Sequence, residues 1–231
     1  MAQKKITKSW LKNHWAYSWW KYLILTAVCI MGVNILFTST AYRPPEEKKI
    51  EVFAAQGYVD QQAMEDQLKE VFFARFPEQE ELRVMNINLV SGDVYTQMQF
   101  TTYLAAQQGD VLLIPESQLL QLSAAGADDA FMELTPYIES GVIDLERIGV
   151  EGVTLADSNG VEGIYAIPAD SLYGLFDLGC NTQGGYLCVT SFSGNEDTAA
   201  AVLDMLFELY QTEKPEGYDE AISKPNMSAV F

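Results

Sequence analysis

The chain is short of histidine, cysteine and basic residues, and each shortage excludes a chemistry. Its one histidine, His14, lies ahead of the long apolar run. No Ser-His-Asp or Cys-His arrangement can therefore be assembled in the body that follows. Zinc sites of the His and Cys kind fall with it. There is no G-x-S-x-G, no phosphate-binding glycine loop and no G-x-G-x-x-G. Carboxylates are so abundant that a glycosidase-like pair is expected by chance alone. The sequence is therefore read as that of a non-enzyme with no cofactor and no metal site.

Basic residues number 14 against 32 acidic ones, a formal charge of −18, and the imbalance is uneven. Residues 1–21 hold Lys4, Lys5, Lys8, Lys12 and Lys21 and no acid. Residues 43–231 hold the other nine basic residues and all 32 acids, a formal −23. A body this acidic repels phosphate backbones, so no nucleic-acid partner is expected. Of the three cysteines, Cys29 lies in the apolar run, and Cys180 and Cys188 lie eight apart in the body. Two readings of that pair stand: a disulfide if the body is extracytoplasmic, or two reduced, buried thiols.

From Tyr22 to Thr40 no residue is charged. Nineteen helical residues at about 1.5 Å each span about 28 Å, close to a hydrocarbon core of about 30 Å. Trp15, Trp19, Trp20 and Tyr22 flank the entry and Tyr42 the exit, like an aromatic belt. A cleaved signal peptide is the competing reading. The apolar segment exceeds the usual ~7–15 residues of such a peptide, so an uncleaved anchor is preferred. The lysine excess ahead of it predicts a cytoplasmic N-terminus and an extracytoplasmic body. The resulting division is a basic segment 1–21, a transmembrane helix 22–42, a linker 43–49, an α/β domain 50–212 and a polar tail 213–231.

Strand and helix patterns alternate three times after the linker. Ile50, Val52 and Ala54 alternate in a first strand. Asp60 is placed to cap a helix with Met64, Leu68, Val71 and Phe72 on one face. "LRVMNINLV" is a second strand. Asp93 caps the next helix, with Val94, Met98, Leu104 and Ala105 as its apolar stripe. "DVLLIP" is apolar throughout, as a central strand buried on both faces would be. Alternation of this kind predicts a mainly parallel sheet covered by helices on both faces. Ligands on such sheets bind at the carboxyl ends of the strands. The candidate contact residues are accordingly Gln56, Gly57 and Tyr58 after the first strand, Asp93 and Tyr95 after the second, and Glu116 after the third. Further on, Asn159-Gly160 predicts a hairpin, and this reading is preferred over a calcium loop for "DSNGVE". "GYLCVTSF" is another strand. "SGNEDTAAAVLDMLFELYQ" is a helix that Ser193 or Asn195 can cap, with Leu203, Leu206, Phe207 and Tyr210 on its buried face.

Several stretches resemble extracellular solute-binding proteins of ABC importers. "KKIEVFAAQGYVDQQAMEDQLKEVFFARFP" is similar to their opening strand, small-residue loop and helix. "YTQMQFTTYLAAQQGDVLLIP" resembles their second helix and the strand after it. "FMELTPYIESGVIDLE", "GVEGIYAIPADS" and "NEDTAAAVLDMLFEL" resemble later segments in the same order. The aromatic-rich anchored N-terminus also resembles proteins of Gram-positive bacteria. The resemblance implies a periplasmic-binding-protein-like (type II) fold taking up a small solute of the sugar or peptide class, and an ABC permease as partner. Family members carry a large second lobe after the "I-P" strand. Here about twenty residues stand in its place, so a single lobe is expected. Two functions follow as expectations: a membrane-anchored solute-binding lobe, or a non-binding module that docks to a permease or envelope complex.

Overall fold

The apolar run forms one helix, α1 (Lys8–Thr40), in a computed structural model that describes residues 8–40, 42, 44–216 and 218. Residues 18–40 are long and apolar enough to cross a membrane, with a mean hydropathy of 2.0. Polar groups at the end of this stretch are satisfied within the helix. The hydroxyls of Thr38, Ser39 and Thr40 donate to the carbonyls of Asn34, Ile35 and Leu36. In hydrocarbon a hydroxyl without a partner is costly, so this local bonding suits a membrane span. The chain divides into two units, residues 1–43 and 44–231, and the second carries the rest of the fold.

That second unit is a mixed α/β body around one open sheet. Its strands are β1 (Lys49–Ala54), β2 (Glu81–Asn86), β3 (Val111–Pro115), β4 (Val153–Ala156), β5 (Glu162–Pro168) and β6 (Gly185–Val189), in the spatial order β2-β1-β3-β6-β5-β4. β1 pairs parallel with both β2 and β3. β6 then enters antiparallel beside β3, and β5 and β4 follow in antiparallel pairs. Four strands thus share one direction, and β6 and β4 oppose it. The expected parallel arrangement holds for β1–β3. It gives way beyond β3, where the 16 residues 169–184 between β5 and β6 hold one 3-10 turn, Tyr173–Leu178, and no α-helix to cross the sheet. Without a crossover helix the chain turns back beside its own strand, and the pair is antiparallel.

Side-chain alternation along each strand builds two cores. Ile50, Val52, Ala54, Val111, Leu113, Leu187 and Val189 face one way. They meet Met64, Leu68 and Phe72 of α2 (Gln61–Arg75). Phe53, Ala55, Leu112, Ile114 and Cys188 face the other way and meet Phe100 of α3 (Val94–Ala105) and Leu119 of α4 (Glu116–Leu122). Three short helices follow, α5 (Ala127–Ala130), α6 (Thr135–Glu139) and α7 (Leu145–Ile148). α8 (Glu196–Tyr210) closes the first core with Val202, Leu203, Met205, Leu206 and Phe207. The two body cysteines are kept apart by the sheet, Cys180 lying in the connection 169–184 and Cys188 on β6. Cys180 lies in the first core and Cys188 in the second, and both thiols are free. Burial pushes the Cys180 thiol up to about 12 and Cys188 higher still.

Two helix caps follow the sequence expectation. Asp60 accepts from the amide of Ala63 and Asp93 from that of Tyr95. The cap expected at α8 takes a different form. Asn195 is the N-cap residue but spends its side-chain amide on the carbonyls of Glu46 and Lys49. It thereby fixes the segment entering β1. The apolar stripe of α3 is a correction. Phe100 is the buried residue, backed by Tyr103 and Leu104, whereas Val94 and Met98 are exposed. Phe100 has more apolar area to remove from water than either, and its burial sets the rotation of the helix.

Candidate functional site

The carboxyl ends of β1, β2 and β3 lie side by side, as the register of the sheet requires, and the 169–184 connection folds over them. Each contact is specific. The amide of the Gln56 side chain donates to the Gln183 carbonyl at 2.9 Å. The Asp60 amide donates to the Leu178 carbonyl at 2.8 Å, and the Glu116 amide to the Gly184 carbonyl at 3.2 Å. Asp170 accepts from the Gly184 amide at 2.8 Å and holds the connection closed on itself. The connection leaves little room where it meets the strands. A Cβ at Gly185 would stand 3.1 Å from the Gln56 carboxamide carbon and 3.0 Å from the Thr182 carbonyl oxygen. At Gly179, with φ of +88°, it would stand 3.2 Å from the Tyr58 ring.

The six sequence-predicted residues are placed unequally by this arrangement. Gln56 is buried beneath the connection, and its carboxamide oxygen has no partner among the described residues. Gly57 offers its carbonyl to the Asn86 side chain at 2.7 Å, which ties the end of β1 to the end of β2. Tyr58 is exposed beside Gly179. Asp93 accepts from the Tyr95 amide at 3.2 Å and from the Thr96 hydroxyl at 3.4 Å, so both of its oxygens serve its own helix. Tyr95 is exposed on α3, and Glu116 is exposed at the start of α4. Gln56, Tyr58 and Glu116 share the connection as a neighbour. Asp93 and Tyr95 stand on the adjoining loop and helix.

Sequence reasoning missed the apolar surface beside these residues. Tyr58, Val90, Val94, Tyr95 and Met98 are 59%, 61%, 74%, 71% and 65% exposed. On α3 the exposed positions 94, 95, 98, 101, 102 and 105 make one continuous face. None of the twelve residues of α3 is charged. A helix this free of charge, in a body so rich in acid, was the available signal. An exposed, contiguous apolar patch marks an interaction surface more often than a bare accident of packing. Two shallow depressions on the body, of about 320 and 440 Å³, are lined by Ser193–Thr198 and by the outer face of α2, and neither includes a predicted contact residue.

Ionisable groups with shifted behaviour lie elsewhere. In the hairpin, Asp157 accepts from the amides of Val161 and Asn159 at 2.7 and 2.8 Å, and these bonds hold its carboxyl below the usual range. Its oxygens are spent on the turn itself. At the amino end of β3, Asp110 accepts from the Glu51 amide at 2.8 Å and the Ser193 hydroxyl at 2.7 Å. Burial first, and then the Glu51 charge, raise its carboxyl above the ordinary value near 3.8, while the two hydrogen bonds and Lys49 oppose the rise. The raised acid stabilises the fold fully below its unfolded value, and that contribution is lost as pH rises through the folded value. Asparagine removes the charge, accepts from the Glu51 amide with its one oxygen, and turns the second bond round by donating its amide to the Ser193 hydroxyl oxygen. Asp110→Asn is therefore expected to gain stability over the natural chain as pH goes from about 4 to 7. Urea midpoints at the two pH values check it, and an advantage that shrinks with pH contradicts it.

Compared with models of known families, the chain matches none, and compared with curated proteins it matches none at a significant level.

Proposed function

We propose that this is a single-pass membrane protein whose body stands outside the cell and docks onto a membrane partner of the ABC-permease class. In this reading the body is a single, periplasmic-binding-protein-like lobe of type II that no longer encloses a solute. One observation supports it: the 169–184 connection is bonded to Gln56, Asp60 and Glu116 at the strand ends, where this reading would otherwise seat a solute, while apolar side chains stand exposed on the loops and helix beside it. Other features agree. α1 has the length and apolarity of an anchor, with lysines on its amino side and the acids beyond it. Confinement of both partners to one membrane raises their effective concentration, so a modest apolar patch suffices. Catalysis has no support in the body's cysteines, whose buried thiols are held in the protonated, unreactive form.

The test is a photoreactive residue at position 98 in the full chain, with one at Gln67 on α2 as control. The docking reading expects one membrane protein captured from position 98 and not from 67. Equal capture at both positions contradicts it. For topology, alkaline phosphatase fused after Phe231 is expected to be active, and an inactive fusion that is expressed and full-length contradicts the orientation.

A second reading, uptake of a sugar- or peptide-class solute, is favoured by the partnerless carboxamide oxygen of Gln56. A buried acceptor without a donor is costly, and a ligand hydroxyl or amide would relieve it if the connection lifts.

A further inference from the structure

We infer that α1 pairs with α1 of a second copy of this chain through a seam that holds Asn34. The inference rests on α1 as a membrane span and not on the docking function proposed for the body. The stretch Tyr22–Thr40 has its midpoint at Met31, and Asn34 lies three residues beyond. That places Asn34 about 4.5 Å from the middle of a hydrocarbon core about 30 Å thick. A carboxamide at that depth has no water to bond, and leaving it without a partner is costly. The hydroxyls of Thr38, Ser39 and Thr40 meet the same demand inside their own helix. The Asn34 carboxamide does not. It stands exposed on the helix surface and bonds to none of the described residues. Its partner therefore comes from another helix.

Complementarity of donor to acceptor selects the occupant. A carboxamide carries both, so two identical groups satisfy each other across a twofold axis. Two copies inserted in the same direction also bring Asn34 to the same depth, with no adjustment of either helix. The residues around it suit such a pair. Alternate spacings of three and four run through Trp20, Leu23, Ala27, Ile30, Asn34 and Phe37. This is a 3.5-residue repeat, which keeps one stripe turned toward a parallel neighbour. Each of these side chains is exposed, and no charge lies between Tyr22 and Thr40 to oppose close approach. From Trp20 to Phe37 the stripe runs about 25 Å, most of the core. Ala27 and Asn34 take equivalent places in the repeat, seven residues apart. The small Ala27 lets the backbones approach. A single asparagine at such a place fixes the register and the number of strands. Cys29 lies well off the stripe, about 140° around the helix from Asn34.

The experiment uses the full chain, purified and returned to phosphatidylcholine vesicles, with Cys29→Ser and the buried Cys180 and Cys188 left in place. Ile30→Cys puts a thiol in the seam, and Leu25→Cys puts one on the opposite side of the helix. Under copper phenanthroline the Ile30 variant is expected to join two chains about tenfold faster than the Leu25 variant. Adding Asn34→Leu is expected to slow the link at position 30 by a similar factor. Leucine is a strong helix former and is at home in lipid, so the span itself survives that change. Asn34→Gln keeps a donor and an acceptor and is expected to restore most of the rate. Equal rates at positions 30 and 25 overturn the inference. A rate at position 30 that Asn34→Leu leaves unchanged also overturns it. Extraction with alkaline carbonate separates the pairing from the span. A chain that stays in the vesicles but links equally at both positions loses the pairing alone. A chain released by carbonate loses the span, and the pairing with it.

Discussion

Phe100→Ala is expected to lower the stability of the body by about 3–5 kcal/mol, whereas Met98→Ser changes it by less than about 0.5 kcal/mol. The two residues lie two positions apart on α3 and face opposite ways. Phe100 is fully buried between the helix and the sheet, in the core that also holds Phe53, Leu112 and Ile114. Beside it the Phe53 and Tyr103 rings meet edge-on at 5.7 Å. Truncation there removes a ring and leaves a cavity that a sheet on one side and a helix on the other cannot fully close. Met98 loses almost nothing on substitution because solvent already surrounds it. The body has no tryptophan, since all four lie at positions 10, 15, 19 and 20. Nine of the twelve tyrosines lie in residues 44–231, so tyrosine near-ultraviolet circular dichroism of that segment, expressed without α1, follows the unfolding of the body in urea. Equal losses for the two variants would place the core on the wrong face of α3.

Placing charge on that face is the second large effect. Val94→Asp with Met98→Asp is expected to reduce recovery of the proposed membrane partner by about tenfold or more. A carboxylate buried against an apolar partner must be desolvated without a counter-charge, and the cost falls on the complex alone. The free protein holds both side chains in water, so its urea midpoint stays close to that of the natural chain. Undiminished recovery, with the midpoint unchanged, would show that the partner binds elsewhere.

The contrast between Phe100 and Met98 also shows where the sequence was readable. The first three strands, their order of appearance and the caps at Asp60 and Asp93 follow from local periodicity and short polar side chains. The hairpin at Asn159-Gly160 is equally local: Gly160 takes a φ of +81° in it. Strand order and direction beyond β3 are not local. They depend on the lack of a crossover helix between β5 and β6, and on β6 choosing β3 and β5 as neighbours, which no alternation within "GYLCV" encodes. The rotation of α3 was misread for a related reason. Val94, Met98, Leu104 and Ala105 satisfy a helical spacing as well as Phe100, Tyr103 and Leu104 do, and only the sheet beneath decides between them. The candidate site shared this limit. Sequence placed Gln56, Tyr58 and Glu116 at strand ends, but the connection that buries Gln56 lies more than a hundred residues away along the chain. Asp93 was counted twice, as a cap and as a contact, and its hydrogen bonds are those of a cap.

The filling of the strand-end crevice by residues 169–184 is the claim on which the docking function stands. A native mass spectrum of the full chain, released from detergent after gentle purification, tests it most directly. The account predicts the mass of the chain with no stoichiometric small molecule. An adduct of fixed mass that is lost on denaturation, and lost again in Gln56→Ala, would contradict it and make the protein a solute binder.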